Sequence, residues 1–312
     1  MATDNRTIIQ KANEIMVADL SAQDGTLPDF RAAQFVEKVI EQSRLMQLAT
    51  VHPMKAMKEQ IPAFKFASRI LHKGTEGAAL PAASAGKPTW SYVELDAKLF
   101  KAFISMTTEV LEDNIEGGRL LDHFQSAGAK AIARDIEEIA IDGDTTSADA
   151  DLAVMDGLIA QATTNVVLGG GVKVNKTLLK NMVDELGNEY TQDVSALRYL
   201  VSPRMERAYR DVLADRGTAA GDTYVIQNVS PLCEGIGFEK LAKIRDNIGG
   251  VDTSNILLCD PKSILIGFWR TVEMKLWEDV PAGVIYLIVR CRWDVKYGDE
   301  DGVVKMTGVK VA

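Results

Sequence analysis

The spacing of apolar and polar positions changes period several times along the chain, and each change marks a part. Residues 3 to 20 place Ile8, Ile9, Ala12, Ile15 and Met16 on one face, which predicts a short helix. "SAQDGTLPDF" breaks that period, as Gly25 and Pro28 should. A second helix is expected from Asp29, which can cap it, through Phe35, Val36, Val39 and Ile40 to Leu45. Two such pieces are too small for a domain, so residues 1–50 read as an arm that lies on something else.

From Val51 to about Ser105 the period becomes two. "IPAFKFASRIL" and "TWSYVELDAKLFKAFISM" alternate as half-buried strands do, around the Gly-, Ala- and Pro-rich "HKGTEGAALPAASAGKPT". Residues 51–105 therefore predict a long two-stranded hairpin with a loose tip. Arms of about 15 residues would reach on the order of 50 Å at ~3.3 Å per residue. An isolated hairpin is marginally stable in water, so a projection of this kind is expected to find its partner surface on another subunit.

Helical spacing returns in "TTEVLEDNIEGGRLLDHFQSAGAKAIARDIEEIAIDGD". A short turn over residues 107 to 113 precedes the break at Gly117-Gly118. Leu120, Leu121, Phe124, Ala127, Ala131, Ile132, Ile136 and Ile139 then keep one face apolar as far as Ile141. At ~1.5 Å per residue this roughly 25-residue helix spans nearly 40 Å, and Asp142-Gly143-Asp144 ends it. Further on, "ALRYLVSP" leads into a helix opened by Pro203 and closed by Gly217. From about 222, strands and short helices alternate: "TYVIQNV", "FEKLAKIR", "NILLCDPKSILIGFW", "VEMKLWED", "GVIYLIVRCRWDVKYGD", "GVVKMTGV". The pattern predicts an α+β protein with an antiparallel component.

Composition narrows the function classes. Apolar residues are 46% and charged residues 25% of 312, as in a soluble globular protein able to bury a real core. The net charge of −9, from 44 acidic and 35 basic residues, argues against a surface that grips nucleic acid, without excluding its enclosure. No run approaches the roughly 18 apolar residues of a membrane helix, and the N-terminus has no apolar signal core. Cys233, Cys259 and Cys291 share no metal-ligand spacing, and reduced thiols in a cytoplasmic setting are expected.

Several stretches imitate chemistry. "VVLGGGVKVNKTLLKNM" is one residue short of a phosphate-cradling loop: from Gly170 the pattern runs correctly, but Asn175 replaces the second glycine before Lys176-Thr177. The expectation is a glycine-rich turn, a short strand "VKV", and Asn175 capping a helix Lys176 to Leu186 closed by Gly187. "DGDTTSADAD", with Asp142, Asp144, Asp149 and Asp151, lacks the glycine and glutamate of a calcium loop and reads as a solvated acidic turn. His52, His72 and His123 sit near no nucleophile in sequence, and Glu137-Glu138 point in different directions on a helix and read as part of a solvated face. Trp90, Trp269, Trp277 and Trp293 read as core or interface anchors. No catalytic, cofactor-binding or metal-binding residue is assigned, and no cofactor is expected.

The order of the parts resembles the major capsid protein of tailed double-stranded DNA bacteriophages, with its Hong Kong 97-like fold. "ISMTTEVLEDN" and "AIARDIEEIAIDGD" are similar to the lead-in and end of that family's spine helix. "LRYLVSPRMERAYRDVLADRG", "ILLCDPKSILIGFWRTVEMKLWED" and "VRCRWDVKYGDEDGVVKMTGV" are similar to its later strands and helix. The likeness covers about residues 25 to 312. It implies an N-terminal arm (1–50), an extended hairpin loop (51–105), a peripheral domain with the spine helix (106–195, its strands returning near 290–312) and an axial domain (196–290). It also implies a structural, non-enzymatic subunit that assembles with itself into hexamers and pentamers of an icosahedral head enclosing DNA, located in the virion. A separate scaffolding protein, a portal and a decoration protein are the implied partners, with no membrane. Some relatives weld subunits through a lysine, for which Lys73 or Lys87 could serve, but no matched acceptor is visible. An encapsulin-type compartment shares the fold and is the near alternative; a nucleotide hydrolase using Lys176 is the distant one.

Overall fold

The computed structural model describes residues 43–65, 69–73, 88–109, 119–215, 230–248, 251–269 and 273–311. The expected helices at 3–20 and 29–42, the strand "TYVIQNV", Gly217 and Lys87 lie outside them. Within them the protein is α+β, with two large sheets, one small one and a long helix packed into one of two main cores.

The first large sheet is built on β12 (Val284–Tyr297), fourteen residues long. Its first ten residues pair antiparallel with β4 (Lys98–Thr107) on one side. On the other side β11 (Glu273–Asp279) and β10 (Ile264–Trp269) follow one another, and β1 (Thr50–Met54) adds parallel to β10. The sequence reading placed residues 98–105 in a free hairpin arm. The structure divides that run at Ala97: β3 (Thr89–Asp96) belongs to the hairpin, whereas β4 is a strand of the body. The projecting arms are thus eight residues each, β2 (Lys58–Lys65) and β3, rather than about 15.

One face of this sheet is covered by α2 (Arg119–Asp142), the predicted spine helix. Ala129, Ile132, Ala133, Ile136 and Ala140 recur every three or four residues and are all buried, forming the stripe that packs onto Leu287, Val289, Cys291 and Trp293 of β12. Phe100 stacks on Trp293 with ring centroids 5.3 Å apart. The chain enters this core through α1 (Arg44–Leu48), a separate short helix where the sequence suggested the end of a longer one. Its cap, Ser43, accepts the Met46 N–H and donates to buried Glu137, so the carboxylate expected to lie on a solvated face is fixed inside.

The second large sheet runs β5 (Asn165–Leu168), β13 (Val304–Lys310), β9 (Thr253–Cys259), β6 (Arg198–Val201), β8 (Ile236–Lys240), β7 (Leu232–Cys233). Its central strand has both faces buried. Leu257 and Cys259 point into the core shared with α2, while Ile256 and Leu258 point into a second core. That second core takes its helices from α4 (Lys176–Glu185) and α5 (Pro203–Ala214). On α5, Met205, Tyr209 and Leu213 are spaced by four and all buried; Ser202 caps the helix, and Pro203 stands where a missing N–H costs nothing. Buried Glu206 accepts from Arg210 at 2.8 Å, with the Lys240 ammonium 3.4 Å from its other oxygen.

The sheets also cut the chain differently from the sequence boundaries. β5 and α4 join the second sheet, and β10 to β12 join the first. The expected strand "VKV" is instead "NVVL" (165–168), with only a bridge between Lys173 and Lys310 beyond it. α4 ends at Glu185 with Leu186 as its C-cap, and Gly187 follows directly, as expected of the residue that closes it.

α2 ends where the acidic turn begins. Gly143 and Gly157 meet there, Gly157 N–H donating to Gly143 C=O at 2.8 Å. A Cβ on Gly143 would lie 2.6 Å from two backbone carbonyls, of Ile139 and Met155, neither of which can swing away. Gly143→Ala should therefore cost about 1–3 kcal/mol by overpacking, read as a lower urea midpoint of the unassembled subunit; an unchanged midpoint would contradict this packing. Asp142 is also constrained here. Burial raises its carboxyl pKa to about 6, against the opposing pull of Arg245, whose Nε lies 3.2 Å away. With the folded pKa above the ordinary 3.8, the native state holds the proton more tightly than the unfolded chain. The charged form is a cost above pH 6 that disappears as pH falls towards 4. Asp142→Asn should raise stability by about 1–3 kcal/mol at pH 7.5 and make little difference at pH 4, as measured by urea unfolding at the two pH values.

Candidate functional site: the projecting hairpin and its root

Among the described residues, β2 and β3 form a sheet of two strands. Their register pairs Phe64 with Trp90, Pro62 with Tyr92 and Lys58 with Asp96. Strand pleating puts Phe64, Pro62, Trp90 and Tyr92 on one face, where Phe64, Trp90 and Tyr92 are each 59–61% exposed. Phe64 and Trp90 touch each other, centroids 5.6 Å apart. Single exposed apolar side chains are ordinary; three large aromatics exposed together on one face of a strand pair mark a contact surface.

The opposite face is buried only at the root. Leu95 and Ala97 pack with Met54, Ile61 and Trp269 in a small cluster of their own. Leu95 fits because position 267 is glycine: a Cβ there would come within 2.9 Å of Leu95 Cδ1 and 2.7 Å of Met54 Sδ. Beside it, the Asp96 N–H donates to Asp294 Oδ2 at 2.7 Å, across 198 residues of sequence. Asp294 is 3% exposed, and its other oxygen accepts the Val295 N–H. Burial pushes its carboxyl pKa up, against the two backbone donors. The Asp96 carboxylate behaves oppositely. Lys98 at 2.7 Å and Lys58 at 3.4 Å hold it below the usual range. The Ala97 N–H closes on Met57 C=O at 2.9 Å, so the chain changes sheets through successive residues that are each anchored. Glu59 fixes the turn before the hairpin, accepting from the Lys55 N–H and meeting His52 at 3.3 Å.

A second aromatic group lies on the first large sheet, on the face away from α2. Phe103, Tyr286 and Trp277 stack across β4, β12 and β11, with centroids 4.7 and 5.2 Å apart. Lys101, Lys275 and Arg290 share that face and are exposed. Arg292 lies over the Trp269 ring at 4.7 Å. The four tryptophans thus divide as core (Trp293), root (Trp269) and exposed surface (Trp90, Trp277).

The stretches that imitate chemistry are accounted for by local bonding. Asn175 caps α4 by accepting the Leu178 N–H, one of the donors a bound phosphate would need. Lys176 is turned to Glu234 at 3.1 Å, and Gly170 and Gly171 supply positive φ for the turn. Asp144 accepts from Thr146, Asp149 from the Asp151 N–H, and Asp142 pairs with Arg245, so the four aspartates do not converge. Among the described residues no cluster of three metal-ligating side chains forms. All three cysteines are buried free thiols; burial raises the pKa of Cys233 and pushes those of Cys259 and Cys291 up to about 12. The root residues Asp294 and Gly267 were not singled out from sequence. The glycine inside "SILIGFW" is a visible signal, whereas Asp294 falls in the charged phase of "RCRWDVKY" with Arg290, Arg292 and Lys296, where alternation predicts exposure.

Comparison with known proteins agrees with this architecture. A putative prophage capsid protein, YqbE of Bacillus subtilis (strain 168), is 30% identical over 311 residues, 98% of this chain and 99% of the relative. The chain superposes on a subunit of the satellite phage P4 procapsid, solved with its size determination (Sid) protein, at a TM-score of 0.69 and 12% identity, covering 96% of this chain and 98% of that one. A chain from Mycobacterium phage Adephagia gives 0.58 at 15% identity over 85% and 89%. The SrpI encapsulin of Synechococcus elongatus PCC 7942 gives 0.57 at 11% over 86% and 88%, so the fold is shared with an encapsulin. The profile of the Phage capsid family matches residues 23–308, and with that span the chain belongs to this family of capsid proteins.

Proposed function

We propose that this capsid protein assembles with itself into hexamers and pentamers of a closed icosahedral head around double-stranded DNA, and that it does so without catalysing any reaction. The observation that carries the assembly reading is the hairpin β2–β3. Two strands cannot bury both of their faces, and this pair presents Phe64, Trp90 and Tyr92 to water. A neighbouring copy laid against that face removes the exposure. The contact is heterologous, hairpin to body, and repeating such a contact gives rings when the rotation closes. The sequence's division into arm, extended loop, peripheral and axial domains enters here in adjusted form. The sheet of β12 with α2 is the peripheral unit, and the sheet of β9 with α4 and α5 the axial one. A separate scaffolding protein, a portal and a decoration protein belong to the same proposal, as does an inner wall acidic enough for packaged DNA to slide along.

The encapsulin-type reading is supported by the SrpI likeness alone. The contents of purified particles separate the two readings: nuclease-protected DNA supports the phage head, and an enclosed protein cargo supports the compartment.

Electron microscopy of the purified chain across salt and crowding conditions should show closed shells or capsomer rings; a monomer throughout would overturn the proposal. The double substitution Trp90→Ala with Tyr92→Ala should leave the subunit's unfolding midpoint within about 0.5 kcal/mol of the parent, because both rings are largely exposed. The same change should sharply reduce the yield of sedimenting shells. Unchanged yield would show that this face is not between subunits.

A further inference from the structure

Between α2 and the face of the first sheet that it covers, a groove of about 490 Å³ opens towards the acidic turn. Its floor is apolar, with Phe100, Ala102, Ile136 and Val289 among the lining residues. Its rim is acidic, with Asp135, Glu138, Asp149 and Asp151 among the lining residues. Glu138 is engaged by Lys243, but Asp149 and Asp151 are exposed and have no cation partner among the described residues. One polar group of the lining is unanswered. Trp293 is fully buried, lines the groove, and its indole Nε1–H has no acceptor among the described residues. An orphaned buried N–H is destabilising, so a ligand that brings a carbonyl oxygen is favoured at that point. Floor, rim and donor together ask for a peptide: aliphatic side chains for the floor, flanking cations for the rim, and a backbone carbonyl for Trp293.

This chain contains such a segment. Arg69-Ile70-Leu71-His72-Lys73 lies beyond β2 on the link to β3, and all five residues are exposed, Leu71 by 86%. Two aliphatic side chains between two cations match the groove in order as well as in sign. The arm does not: residues 1–42 carry seven acidic side chains and four basic ones, the same sign as the rim. We infer that the groove under α2 is the socket for the Arg69–Lys73 segment of a second copy, with Ile70 and Leu71 on its floor and Arg69 and Lys73 on Asp149 and Asp151. This rests on the reading that the hairpin engages a neighbouring subunit, and adds the receiving site and its chemistry.

Full-length protein kept below its assembly concentration is titrated into a fluorescein-labelled peptide of residues 66–75, followed by anisotropy. The expected result is saturable binding. It should weaken at least about tenfold when Asp149→Lys and Asp151→Lys are introduced together, or when the peptide carries Arg69→Glu and Lys73→Glu, and return when the two reversals are combined. Both aspartates are on the surface, and a matching thermal melt confirms that the variant folds. Absence of saturation, or binding indifferent to both reversals, overturns the assignment. A scrambled peptide that binds equally well overturns it too, giving the groove to any basic segment, including one from another protein. Particles that form with normal yield despite charge reversal sink the socket and leave the shell intact. Peptide binding by a chain that never forms particles does the reverse.

Discussion

A two-stranded sheet has no interior, and the geometry of this protein follows from how the sheet of β2 and β3 is fastened. Everything β2 and β3 bury at their own expense is gathered at the root, where Leu95 meets Gly267 and the Asp96 amide meets Asp294. Past Ala97 the chain continues as β4, paired over ten positions with β12. The pitch of the hairpin is therefore set by the body sheet and is not free to wander. An unpaired buried carboxylate would be costly, and at Asp294 two backbone N–H groups offset that cost. The bond couples a buried charge to the direction in which the hairpin leaves the body.

The body can serve as that anchor because its layers are shared. α2 contributes to a core that includes residues from both large sheets, and β9 places alternate side chains into two different cores. Neither sheet can shift without opening an interface on its other side, which is how close-packed interiors resist gradual deformation. Polar side chains join the layers further: Gln161 donates to Val295 C=O, and the Tyr297 hydroxyl to Leu158 C=O. The exposed aromatic surfaces lie outside this shared core, on the hairpin and on the sheet face away from α2.

Much of this was legible in the residues. The spine helix declares itself by apolar spacing and by Asp142-Gly143, and α5 by Ser202, Pro203 and the four-residue repeat of Met205, Tyr209 and Leu213. The strands also announce themselves by alternation, but alternation does not name a partner. Residues 89 to 107 alternate without a break in character, so nothing local shows that Trp90 faces water while Phe100 stacks on a tryptophan nearly two hundred residues away. Which strands share a sheet is a long-range choice, and the domain limits drawn from sequence order moved accordingly. The hairpin root was hidden for the same reason: Asp96, Gly267 and Asp294 become a unit only once three distant segments meet. Where chemistry seemed to be written locally, at Asn175-Lys176-Thr177, the structure spends the motif on a helix cap and an ion pair.

The three thiols give the molecule a property independent of any partner. Cys233 lies in one core and Cys259 and Cys291 in the other, each sealed from solvent and reluctant to ionise. Thiolate is the form that reacts, so an intact subunit resists disulfide coupling to its neighbours even in oxidising surroundings. Conversely, any alkylation of Cys233 reports loosening of the core that holds α4 and α5, and alkylation of Cys259 or Cys291 reports loosening beneath α2. The chain carries a built-in gauge of which half gives way first.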